Sequence, residues 1–113
     1  MNKMKYLVTM ELIGAPPDSP QELIQHLEEK VIPTHEALMK LEVEKKILAG
    51  GDLSGRRGNA FIVEVASNEE LSTLLMSLPA WGNQKVDVTP LESFEERQVL
   101  HRKFLERLKA TVK

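Results

Sequence analysis

Apolar side chains dominate from Met4 to Ile13, with Tyr6, Val8, Met10 and Leu12 on one parity and Leu7, Thr9, Glu11 and Ile13 on the other. A period of two predicts a strand with two unequal faces. The cluster Gly14-Ala15-Pro16-Pro17-Asp18 ends it, because such residues supply turns and interrupt pairing. Ser19-Pro20-Gln21-Glu22 follows. A capping serine, a proline at the first helical position and a glutamate able to close a capping box together predict a helix start. Leu23, Leu27, Val31, Thr34, Leu38 and Leu41 then recur at helical spacing, the stripe of a helix lying on a core. Pro33 removes one backbone donor and crowds the preceding turn, so the helix is predicted to kink or split there. Its end is expected near Lys45-Lys46, where positive charge suits the helix dipole.

Residues 47–53 (ILAGGDL) predict a short strand weakened by glycine, and 54–58 a turn. Residues 59–66 (NAFIVEVA) predict a strong strand. Ser67 or Asn68 caps a second helix, whose apolar face is Leu71, Leu74, Leu75 and Leu78, and Pro79 stops it. Residues 84–91 alternate as a fourth strand, which Pro90 either ends or confines to a sheet edge. Residues 93–112 predict a charged helix with Leu100, Phe104 and Leu108 on one line, flanked by Leu105 and Val112. The order β-α-β-β-α-β is the split-βαβ, ferredoxin-like pattern: an α+β fold with an antiparallel sheet and two helices on one face. The chain of 113 residues is expected to be one domain over 1–113, with 93–113 as a C-terminal helical extension.

If both connecting helices cover one side of the sheet, they should cover the uniformly apolar parity: Tyr6, Val8, Met10, Leu12, Phe61, Val63, Val65, Val86 and Val88. The other face mixes Leu7 and Ile62 with Thr9, Glu11, Glu64, Asp87 and Thr89. Two such faces packed together would bury the apolar residues and leave the acids lining a polar pocket, so a homodimeric α/β barrel or higher oligomer is expected. The other reading is that the acids keep one sheet face wet, as is common in antiparallel sheets.

There is no cysteine, which excludes disulfides, thiolate metal sites and cysteine nucleophiles and permits the cytosol. No apolar stretch suits a secretory signal or a membrane span, so a cytoplasmic protein with no membrane partner is expected. Net charge is −2, and Arg56-Arg57 is the one adjacent arginine pair, so there is no basic stripe for nucleic acid. No metal-ligand spacing, phosphate loop or Gly-x-Ser-x-Gly elbow occurs. No metal and no cofactor are expected.

Several pieces resemble the muconolactone Δ-isomerase family within the dimeric α/β-barrel superfamily. They are Gly55-Arg56 and Asn59 before the third strand, Ser67-Asn68-Glu69-Glu70-Leu71 opening the second helix, Leu78-Pro79 closing it, and Val88-Thr89-Pro90-Leu91 ending the fourth strand. The resemblance implies a ferredoxin-like protomer, a barrel made by two subunits and cofactor-free acid–base chemistry on small lactones from aromatic degradation. Ala49-Gly50-Gly51 is more similar to the related YciI-like group, which implies the alternative of a non-catalytic small-molecule-binding or assembly barrel.

Moving a double bond in a lactone needs a group that takes a proton beside the carbonyl and returns it elsewhere, which a carboxylate or histidine does best. Glu64, mid-strand on the mixed face, is the first candidate base; a solvated strand acid is the plainer reading. His35, at the border of the helical stripe, is the second; the plainer reading is a boundary residue. Arg56 is placed to hold a substrate carboxylate bidentately. Trp81 in the loop after the second helix, with Glu11 and Thr9 on the mixed face, completes the expected substrate-binding set. Glu64 and Arg56 are expected to meet in one pocket. His26 and His101 are expected to be exposed and without a role.

Overall fold

The computed structural model of the chain describes residues 3–112; Met1, Asn2 and Lys113, the ends of the expected 1–113 domain, lie outside the described residues. Strands β1 (Met4–Leu12), β2 (Ile47–Asp52), β3 (Gly58–Val65) and β4 (Gln84–Leu91) form one antiparallel sheet in the order β2-β3-β1-β4. The predicted boundaries hold to within about a residue. β4 is an edge strand, which is where Pro90, lacking a donor, is tolerated.

The first helical segment is α1 (Pro20–His26), a single π-helical turn (Leu27–Val31) and α2 (Ile32–Val43). The chain does not split at Pro33; the helical path runs through it. Pro33 is the second residue of α2, with Ile32 standing between it and the end of the π turn. Widening the turn there makes room for a ring that would otherwise crowd the carbonyl four residues back. α3 (Asn68–Met76), a 3-10 turn (Trp81–Asn83) and α4 (Phe94–Thr111) complete the chain.

Three helices begin with the same device. Ser19, Ser67 and Ser93 each accept a hydrogen bond through Oγ from the backbone N–H three residues on, at Glu22, Glu70 and Glu96. Each satisfies one of the orphan donors of a first turn. At the end of α2 the N–H of Lys46 reaches the Leu41 carbonyl and that of Lys45 the Glu42 carbonyl. This is a Schellman arrangement, and it puts Lys45 at φ 62°, a left-handed conformation usually left to glycine.

The core lies between the sheet and the helices. Tyr6, Val8, Met10, Phe61, Val63 and Val65 are buried on the helix side, joined by Ile47, Leu71, Leu74, Leu75 and Leu78. The expected parity is the covered one, with one correction. Val88 is 40% exposed and Val86 only partly buried, because α2 packs mainly over β2 and α3 over β3, leaving β4 the least covered strand. Thr34, buried on α2, ties the helix to the loop after α3 by accepting a hydrogen bond from the Ala80 N–H at 2.9 Å.

Candidate functional site

All four strands bring an end to the same edge of the protomer. In the register, Glu11 faces Gly58, Leu12 faces Gln84, and Asp52 faces Asn59. Above these ends sit α1, the π turn and the start of α2, held by the loop that follows β1. The Arg57 guanidinium donates to the Gly14 carbonyl of that loop. Between the layers lies a cavity of about 250 Å³, walled mostly by apolar groups such as Leu12, Leu23, Leu27 and Val31. Its polar lining is His26, Thr34, His35, Asp52, Arg56, Arg57, Asn59 and Gln84. A second cavity of about 310 Å³ adjoins it between α2 and β2, and His35, Asp52 and Asn59 line both.

At the junction the His35 Nε2 lies 3.1 Å from Asp52 Oδ2. A carboxylate oxygen accepts, so the contact suits a ring with its proton on Nε2, the tautomer that leaves the Nδ1 lone pair free. β2 carries Asp52 at its end, and Gly50 lets that strand lie close to β3. A side chain at Gly50 would place Cβ 2.5 Å from Phe61 Cβ and 2.6 Å from the Ala60 carbonyl. Two of the lining residues each bury a side-chain oxygen that has no hydrogen-bond partner among the described residues, Asn59 Oδ1 and Gln84 Oε1. Burying an amide oxygen unpaired is costly. A rotation of either amide by 180° offers its NH₂ in the same place.

Glu64 lies elsewhere. It is opposite Lys5 in the register and 3.9 Å from both Lys3 Nζ and Lys5 Nζ, and it lines none of the cavities described. Arg56 pairs instead with Glu11, Nη2 to Oε1 at 2.8 Å. Glu11 and Lys5 are six residues apart on β1, roughly 20 Å at the rise of a strand. Within one protomer, then, Glu64 and Arg56 do not meet. Parity placed Glu64 on the mixed face correctly, but the register put it at the wrong end.

His35 and Arg56 do come together, at the wall and rim of one cavity. Glu11 stands on the open sheet face and bears on this site only through Arg56. Thr9, between Ala60 and Asp87 in the register, is on the open face too. Trp81 is about one third exposed and stays off the cavity wall, although its neighbour Ala80 reaches it. His26, expected to be idle, is part of the wall. Asp52, Asn59 and Gln84 were not among the expected site residues, although Asn59 was one of the residues that carry the family resemblance. Nothing in spacing joins Asp52 to His35, seventeen residues away; the available signal was their place at strand ends. Among the described residues there is no cluster of three or more His, Cys, Asp or Glu that could hold a metal, and no helix is long and apolar enough to cross a membrane.

No curated protein matches the chain. Among solved structures, a crystal structure of muconolactone isomerase is similar to it, with a TM-score of 0.65 over 80% of this chain and 90% of that one, at 22% identity. At that identity the likeness speaks for the fold: the α+β sandwich with a four-stranded antiparallel sheet is that of muconolactone isomerase. The sequence model of the muconolactone delta-isomerase family matches residues 4–97, from the first residue of β1 into the first turn of α4. The chain belongs to the muconolactone delta-isomerase family.

Proposed function

We propose that the protein is a cofactor-free isomerase that shifts a double bond in a small lactone or unsaturated carboxylic acid by moving one proton. The observation that carries this reading is the His35–Asp52 pair, 3.1 Å apart, on the wall of an apolar cavity edged by two arginines. His35 Nδ1 takes the proton from the carbon beside the substrate carbonyl, and the electron pair left behind delocalises onto the carbonyl oxygen. The imidazolium then returns the proton to a carbon further along the conjugated chain, so atoms and charge balance without a cofactor. Asp52 holds the ring by Nε2 and stabilises its positive charge while the proton is carried. The Arg56 and Arg57 guanidinium groups take the substrate carboxylate at the mouth, where a planar fork suits it. The Asn59 and Gln84 amides lie where they can donate to the carbonyl oxygen as negative charge builds there.

The same reading takes the open sheet face, with Leu7 and Ile62 among Thr9, Glu11 and Glu64, as the face covered by a second copy. Glu64 then belongs to that interface and not to the proton-transfer site.

The test is to supply muconolactone and related unsaturated lactone acids and follow the vinyl protons by NMR, with a run in D₂O in which deuterium enters the product to the extent that the protonated His35 exchanges with solvent before it returns the proton. His35→Gln should lower kcat/KM about 10²–10⁴-fold, the usual worth of a positioned acid–base group. Arg56→Ala should chiefly raise KM, because it removes binding shared by ground and transition states. Saturable binding without turnover in the unaltered protein would overturn the isomerase reading and favour a non-catalytic binding barrel.

A further inference from the structure

The cavity between α2 and β2 takes no part in the proton transfer described above, yet it adjoins that site. His35, Asp52 and Asn59 line both spaces, so the proposed base stands at their junction. The first measures about 250 Å³ and the second about 310 Å³. Small-molecule sites usually run to roughly 300–1,000 Å³, a size that the first falls short of and the two together reach.

The second space exists because of what β2 lacks. In the register Ile47 faces Val63, Gly50 faces Phe61 and Asp52 faces Asn59, and those three residues of β3 belong to its buried parity. Gly50 therefore holds the helix-side position between Ile47 and Asp52, where a side chain would otherwise stand under α2. The approach to Phe61 that excludes a Cβ there keeps the space open.

The two cavities differ in charge. Arg56 and Arg57 edge the first. Among the described residues, no arginine or lysine lines the second, and its one charged group beyond His35 and Asp52 is Glu42. Leu38 and Met39 from α2, Ile47 from β2 and Phe61 from β3 make its wall apolar. Such a wall favours hydrocarbon. It disfavours a carboxylate, which would lose water, find no cation and meet the charge of Glu42.

We propose, resting on the isomerase reading for the place of the carboxylate and of the reacting carbons, that the substrate carries one carboxylate at one end and an apolar substituent at the other. The carboxylate lies by Arg56 and Arg57 in the first cavity, the reacting carbons lie at His35, and the substituent fills the second cavity against Leu38, Met39 and Phe61.

The test is calorimetric titration of the unaltered protein with muconolactone and with analogues bearing a methyl, ethyl or propyl group on the side of the ring away from the carboxylate arm. Each added carbon should lower Kd roughly four-fold, the worth of one buried methylene. An analogue with a carboxyethyl group in place of propyl should bind more weakly than the propyl compound. Met39 is 49% exposed, so Met39→Asp can put a charge on the wall of the second cavity without opening the core. It should bring the ratio of Kd between the unsubstituted and propyl compounds close to one, while near-ultraviolet circular dichroism stays unchanged. A series with no gain in affinity overturns the proposal, and so does a gain that survives Met39→Asp or a carboxyethyl compound that binds as well as propyl. Because the readout is binding, the two readings fail separately. Turnover with a flat series overturns the substituent site alone, a graded series without turnover overturns the isomerase alone, and no binding by any member overturns both.

Discussion

His35 and Asp52 illustrate how one residue's chemistry depends on a partner that sequence spacing does not announce. A histidine at the edge of a helical stripe is ambiguous by itself. Placed beside the Asp52 carboxylate on a cavity wall, it is the group we propose as the base. Asp52→Asn is expected to lower turnover more than substrate binding, because the ring loses the acceptor that orients it; equal kcat in the two proteins would show that Asp52 plays no part. Thr34 works at the same scale. Thr34→Val keeps the shape but leaves the Ala80 N–H unpaired, which should cost about 1–3 kcal/mol of stability in denaturant unfolding. Gly50 sits against Phe61 with no room for a methyl group. Gly50→Ala must open the β2–β3 pairing beside the site, and overpacking of this kind costs about 1–3 kcal/mol; unchanged thermal unfolding would contradict the close approach.

The elements follow rules that act over a few residues, and so most of them were legible in the chain. Serine caps, proline at a helix start and alternating apolar strands set the boundaries of β1, α1, β3, α3 and β4. Pro33 is the instructive exception. Its cost was foreseen, but the π turn that absorbs it was not, because a turn of different width leaves no mark in the apolar spacing. The end of α2 offers a direct test. Lys45 sits in the left-handed region, where a side chain is strained by roughly 1–2 kcal/mol. Lys45→Gly should therefore raise the midpoint of thermal unfolding modestly, the gain being reduced by the greater freedom of glycine in the unfolded chain. A lower midpoint would mean that the Lys45 side chain contributes more than its backbone costs.

At the scale of the whole molecule, a sheet covered on one face only and a helix packed on nothing both invite association. Light scattering at micromolar concentration is expected to give a multiple of the 12.8 kDa protomer mass; a single species of that mass would leave the open face wet and α4 without a partner. Hydrogen exchange should rank the elements by burial. Amides of β1 and β3 around Val8 and Val63, both fully buried, should exchange slowest. Those of α4, exposed along its whole length, should exchange much faster. Protection of α4 equal to that of β1 would contradict its exposure.

What depends on neighbours along the chain was legible in the amino-acid sequence: the strand parities, the helix caps, the end or edge position signalled by Pro90, and from their order the split-βαβ fold. The sequence also carried the resemblance of residues 55–91 to the isomerase family. Only the tertiary structure decided which candidates share a site. Strand alternation fixes a face, but register and topology fix the position along it. That is why Glu64, on the face expected, stands beside Lys3 and Lys5, while His35, from a helix, meets Asp52, from the end of a strand. Asn59 and Gln84 became notable for the same reason. They stand at the starts of β3 and β4, and the fold brings them to the same cavity as residues of α1 and α2.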